Sequence, residues 1–207
     1  MFPLAPLAES AADDKVAQTL GRLREMFGEQ PLPEPFFVYA QVPAFLQDFY
    51  MNFKKFVWTD GHITAKTKAT IALAVCAVKK CQPWSKIISA HGQELGLREQ
   101  YLIDTVAVAA TCEMYNVFFK FRDISGSDIY NGMSVGLRAH TFANTSLDDL
   151  TVELINIAIS DINGCKPCTS GHVEKARQLG ATHDALQETI QCAATMLAGI
   201  SFLNAVQ

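Results

Sequence analysis

Charge is scarce in this 207-residue chain: Asp, Glu, Lys and Arg make up 18% of it, against 49% hydrophobic residues. A chain so apolar is not a disordered one, and it is expected to bury part of that surface between subunits of a homo-oligomer. A surplus of either sign is missing as well. The formal net charge of −4 gives no footing to a nucleic-acid binder or to a protein of anionic membranes. Uninterrupted apolar runs fall short of the roughly 20 residues that a membrane-spanning helix needs. The start, Met1 to Glu9, lacks the basic and continuously apolar regions of a signal peptide, so the cytoplasm is the expected compartment. Tight turns flanked by alternating residues are absent too, which removes β-hairpins and leaves an all-α chain.

Cysteine is present, six residues in all. In a reducing compartment these do not form a disulfide scaffold, and a close pair among them is catalytic or metal-binding. The pair is Cys165 and Cys168, in the segment Cys-Lys-Pro-Cys-Thr-Ser-Gly-His that ends at His172.

Helical periodicity organises the chain. An amphipathic helix is expected over 10–27, stopped by Gly28, and a proline-rich loop over 29–35. Pro43 opens a helix whose apolar face carries Leu46, Phe49, Tyr50, Phe53, Phe56 and Val57. Thr64 caps a nearly all-apolar helix over 66–79, and further helices follow over 84–95 and 98–122. A polar linker occupies 123–146. Ser146, with Asp149 in the capping-box position, opens a helix to 162 that Asn163-Gly164 ends. Helices over 166–179 and 183–204, the latter capped by Thr182, complete the chain.

The chain repeats itself. Residues 66–122 laid on 150–206, a shift of 84 without a gap, give 13 identities in 57 positions. Two copies of one helical unit are the reading, joined in a single domain over 1–207 with an N-terminal helical extension over 1–60. The copies are unequal. Trp84 stands opposite Cys168, Ile88 opposite His172 and Ala69 opposite Glu153, so the chemical groups exist only in the second, active copy.

Those groups suit reversible thiol chemistry. A helix beginning at the cysteine pair aims unpaired N–H groups and a positive dipole end at the sulfurs, and both favour thiolate. Lys166 adds positive charge, and Pro167 fits the first turn. His172 lies on the same helix face as both cysteines, where an imidazole can take and return protons. Glu153 comes back to the height of His172 in an antiparallel hairpin and orients it. Two other readings stand beside this one. Cys165, Cys168, His172 and Glu153 are also a possible zinc donor set, or the cysteines are structural and the histidine a core residue. Cys76 and Cys192 read as small core residues, Cys81 and Cys112 as functionless, and His91 as a solvated or satisfied helix residue. The aromatic-rich run 36–58 reads as core or subunit interface.

Glu153, eleven intervening residues, Cys165, two residues, Cys168, three residues and His172 resemble the active-site signature of the AhpD-like alkylhydroperoxidases. These belong to the carboxymuconolactone decarboxylase superfamily, whose decarboxylase branches lack the cysteine pair. Asn116-Val117-Phe118, Gly136-Leu137-Arg138 and Ala143-Asn144 share the likeness, which covers roughly 66–206. The resemblance implies an AhpD-like all-α fold of two homologous helical halves, assembled as a trimer or hexamer. It also implies reduction of an alkyl hydroperoxide, with no cofactor or metal. Cys168 would attack, Cys165 resolve, and Glu153 and His172 relay protons, although helix-start geometry alone favours the first cysteine. The implied reductant is a dithiol such as dihydrolipoamide or a protein thiol, and a peroxiredoxin of the AhpC type is an implied partner. One departure matters. The family carries a histidine just before the second cysteine, where this chain has Pro167, which implies weaker peroxidase activity and more disulfide exchange. A non-redox enzyme of the decarboxylase type and a redox-sensing stress protein without turnover are the alternatives.

Overall fold

Caps and glycines set the helix ends. In the computed structural model, which describes residues 3–206, Asp13 accepts from the Val16 N–H and starts α1 (Asp14–Phe27), and Gly28 ends it at positive φ. The expected helix over 10–27 therefore begins at the residue after its cap. The proline-rich stretch is shorter than expected, because Pro33 and Pro35 sit at the start of a short helix, α2 (Glu34–Tyr39). Helix α3 (Pro43–Phe53) buries Leu46, Phe49, Tyr50 and Phe53 and runs on into a π-helical turn, Lys54–Trp58.

Six helices then follow in two matching sets. The first set is α4 (Ala65–Val78), α5 (Gln82–Glu94) and α6 (Glu99–Ile124). After the short α7 (His140–Ala143) comes the second set, α8 (Asp149–Ile162), α9 (Lys166–Gln178) and α10 (His183–Val206). Each helix of the second set starts 84 residues after its counterpart: 149 − 65, 166 − 82 and 183 − 99. The match extends to packing. Helix α6 lies on α4 and α8, and α10 lies on α8 and α4, so each set completes the other's core. Among the described residues no strand forms.

Thr64 caps α4 through the Thr67 N–H, and Thr182 accepts from the Ala185 N–H at the start of α10. Ser146 does not cap α8. Asp148, two residues on, takes that place and accepts from both the N–H and the hydroxyl of Thr151, while the Ser146 N–H donates to Asp104. The 123–146 linker also contains a 3-10 turn, Asp128–Tyr130, in addition to α7. By length and composition α6 and α10 each suffice to cross a bilayer, which counting uninterrupted apolar runs did not anticipate. Both pack on α4 and α8.

In the first set the position matching Cys168 is filled by packing. Trp84 is fully buried among Phe36, Phe49 and Phe53, and its indole N–H donates to the Tyr39 hydroxyl at 2.7 Å. Tyr39 in turn donates to the Gly199 carbonyl. The N-terminal extension thus occupies the place where a second site would lie.

Candidate active site

The turn between α8 and α9 delivers the cysteine pair. Asn163 ends α8, Gly164 takes φ +64°, and the Cys165 N–H bonds back to the Ser160 carbonyl. Cys165 is the N-cap residue of α9, Pro167 lies in its first turn, and the sulfurs of Cys165 and Cys168 are bonded to each other. Cys165 is fully buried, whereas Cys168 is 8% exposed and opens on a cavity of about 700 Å³. Any molecule arriving from solvent meets Cys168 first.

His172 lies one turn beyond Cys168, and its Nδ1 is 2.6 Å from Oε2 of Glu153 on α8. Both are largely shielded from solvent, which strengthens a hydrogen bond between them. The contact engages Nδ1 and leaves Nε2 as the ring's free nitrogen. Lys175, one turn further along α9, holds its ammonium 3.9 Å from Glu153 Oε1. All four residues expected at the site therefore meet: Cys168, His172 and Glu153 line one cavity, and Cys165 lies behind Cys168.

Spacing alone did not show the walls. Tyr115 and Phe119 come from α6 and Phe142 from α7, and they give the cavity that Cys168 lines an apolar side. Tyr115 and Phe119 are four residues apart, a helical spacing that puts them on one face of α6. Lys175 was also missed, although its position three residues after His172 puts it on that helix face. Among the described residues no group of three or more His, Cys, Asp and Glu is disposed to hold a metal ion.

The remaining cysteines are buried. Burial pushes the Cys112 thiol up to about 11 and the Cys192 thiol up to about 12, and it raises Cys76 and Cys81 as well. All four stay protonated at neutral pH and are poor nucleophiles. His91 is neither solvated nor satisfied, contrary to expectation. It is 7% exposed, it stacks on Trp58 with ring centroids 3.5 Å apart, and among the described residues neither ring nitrogen has a hydrogen-bond partner, Glu94 Oε2 lying 3.8 Å from Nδ1. Lys68 was hidden within an apolar helix. Its ammonium is wholly buried and donates to Glu188 Oε1 and to the carbonyls of Lys55 and Thr59.

The chain is similar to known proteins in sequence and in fold. The chain is 28% identical over 160 residues to the alkyl hydroperoxide reductase AhpD of Solibacter usitatus, covering 75% of this chain and 86% of that protein. To the AhpD of Brucella abortus it is 25% identical over 167 residues, covering 80% and 94%. A solved structure from Burkholderia xenovorans, provisionally described as a gamma-carboxymuconolactone decarboxylase subunit, superposes with a TM-score of 0.65 at 15% identity, covering 94% of this chain and 97% of that one. That likeness is one of fold. The Carboxymuconolactone decarboxylase family is matched twice, over residues 44–121 and 132–207, once for each helical set, and the chain belongs to that family.

Proposed function

We propose that this protein is a cytoplasmic, thiol-dependent alkyl hydroperoxide reductase that works through Cys168 and Cys165, with Glu153 and His172 as its proton relay. The observation that carries the reading is the 2.6 Å contact of His172 with Glu153, set one turn from Cys168 in a cavity with apolar walls. The AhpD relatives support an activity of this kind.

The cycle balances as follows. The Cys168 thiolate attacks the outer oxygen of R–O–O–H, the O–O bond breaks, and His172 gives a proton to the departing alkoxide, leaving R–OH and a sulfenic acid. The Cys165 thiol then attacks that sulfur and water leaves, forming the disulfide. A dithiol such as dihydrolipoamide or a protein thiol exchanges with it and restores both thiols, and the dithiol so regenerated can in turn reduce an AhpC-type peroxiredoxin partner. The apolar walls suit an organic rather than a charged peroxide. Exposure supports Cys168 as the attacking sulfur, since Cys165 has no open side.

A homo-oligomer accompanies this reading. Ile103, Val106, Ala110, Met114, Val117, Phe121 and Ile124 form an exposed apolar stripe at three- and four-residue steps on α6. That helix also supplies the cavity walls Tyr115 and Phe119. Pro167, on the cavity side of the pair, favours a larger share of disulfide exchange than of peroxide turnover.

Consumption of cumene hydroperoxide by the reduced protein, compared with Cys165→Ser and Cys168→Ser, tests the proposal. Loss of steady-state turnover in both variants is expected. Variants that match the wild type sink it, and lactone decarboxylation that survives both substitutions points to the decarboxylase reading instead. Oxidation that alters assembly without peroxide turnover points to a sensor.

A further inference from the structure

Behind the cysteine pair lies a buried polar ladder that the proposed cycle does not use. It runs between α6 and α8 and ends at the turn into Cys165. Asn116, 1% exposed, donates from its amide nitrogen to the Ser160 hydroxyl at 2.9 Å and accepts from the Asn163 amide at 3.1 Å. Cys112, one turn earlier on α6, sets its sulfur 3.5 Å from the same Ser160 hydroxyl. Lys120, one turn later, donates to the Asn163 carbonyl at 3.0 Å. Ser160 also takes the Cys165 N–H on its carbonyl. Apart from a 3.6 Å contact of Cys112 with the Asn156 carbonyl, every rung thus lands on Ser160 or Asn163, the residues that fix the turn.

The inert half is an internal control. The 84-residue correspondence places Met196 and Ile200 of α10 opposite Cys112 and Asn116. It places Ala72 and Cys76 of α4 opposite Asn156 and Ser160, and all four of these counterparts are buried. The last rung survives there, since Asn204 donates to the Lys79 carbonyl at 3.1 Å, as Lys120 does to Asn163. This helix pair therefore closes with apolar side chains wherever no redox pair follows it. In the active half Asn156 even leaves both amide atoms unpartnered among the described residues, a desolvation cost that Ala72 avoids. Polar groups kept in a place where apolar ones pack as well call for a reason other than stability.

We infer that Asn116 and Ser160 are positioning residues for the redox pair: they hold the Asn163-Gly164 turn, and with it the Cys165 sulfur, where the disulfide closes. The inference rests on the redox reading of the site. Two thiols oxidise in proportion to their effective concentration at one another, and a slack turn lowers it.

Asn116→Ile and Ser160→Ala give this half the character of the inert one. The protein is equilibrated in buffers of reduced and oxidised dithiothreitol, which gives up two electrons and two protons as the Cys165–Cys168 bond accepts them, and free thiols are trapped and counted by mass. Both variants are expected to shift the equilibrium at least about threefold toward the dithiol. That corresponds to roughly 14 mV on a two-electron slope of about 30 mV per tenfold. Ile200→Val, at the matching place in the other half, is expected to lower the melting temperature and leave the equilibrium alone. Variants that coincide with the wild type, or shift toward the disulfide, overturn the inference, as does an equal shift from Ile200→Val. Ser160→Ala removes one hydroxyl and carries the test by itself if Asn116→Ile does not fold. A wild-type pair that fails to titrate as a two-electron couple fells the redox reading and this inference together. A wild type that titrates beside unshifted variants fells the inference only.

Discussion

His172 Nδ1 and Glu153 Oε2 lie 2.6 Å apart, nineteen residues distant in sequence and on successive antiparallel helices. A carboxylate on that nitrogen holds the ring in one orientation, so in the proposed cycle Glu153 acts through His172. His172→Ala is expected to lower kcat/KM for an alkyl hydroperoxide by about 10²–10⁴, the range of a general acid–base group. Glu153→Gln should cost less, and the double variant should be no worse than His172→Ala alone. Steady-state kinetics of the three variants check this, and additive losses would assign the two residues separate tasks.

The pairing of Lys68 with Glu188 yields a stability prediction. Burial pushes the Glu188 carboxyl up, but the Ile63 N–H and the Lys68 ammonium outweigh that and hold it below its ordinary value. Lys68→Met leaves this carboxylate buried with one partner fewer, a loss of about 3–5 kcal/mol. The Glu188 carboxylate packs directly on Gly61, where a Cβ would collide with it. Urea unfolding should give a lower midpoint for Lys68→Met, with part of the loss restored by adding Glu188→Gln.

Much of the site was readable because it is local. Cys165, Pro167, Cys168 and His172 occupy one helix start, and Glu153 belongs to the hairpin that precedes it, so helix periodicity alone brings them together. The repeat set the larger frame, since a shift of 84 maps helix onto helix. Features that depend on distant partners were not readable. His91 is buried by Trp58 from the N-terminal extension, and Lys68 by Glu188, 120 residues away. Ser146 and Asp148 have the same capping chemistry, and only the contact of Ser146 with Asp104 on α6 separates them.

His91 gives a pH dependence. Burial lowers its pKa below the ordinary imidazole value of about 6.5, although Glu94 opposes the shift. The unfolded chain therefore binds a proton more readily than the folded one. The stability associated with neutral His91 is fully present above about pH 6.5 and is lost as pH falls through the lower folded-state value. His91→Phe keeps an aromatic ring on Trp58 and removes the titration. Thermal melts from pH 7.5 to 5 should show a shallower decline for the variant, and parallel curves would rule His91 out as the cause.

The exposed stripe on α6 sets the last prediction. Val117 is 64% exposed and Phe121 47%, one turn apart on the helix that also walls the cavity. An apolar row of this length on a chain with so few charges needs cover, and a second copy of the chain offers a surface of the same character. Val117→Glu combined with Phe121→Glu places two carboxylates in the row, and neither residue lines the cavity. Light scattering should show a trimer or hexamer for the wild type and smaller particles for the variant, with helicity unchanged. Turnover should fall along with assembly, because α6 carries Tyr115 and Phe119 beside the stripe and loses its outer support. A wild-type monomer with full peroxide turnover would show that this face needs no second copy.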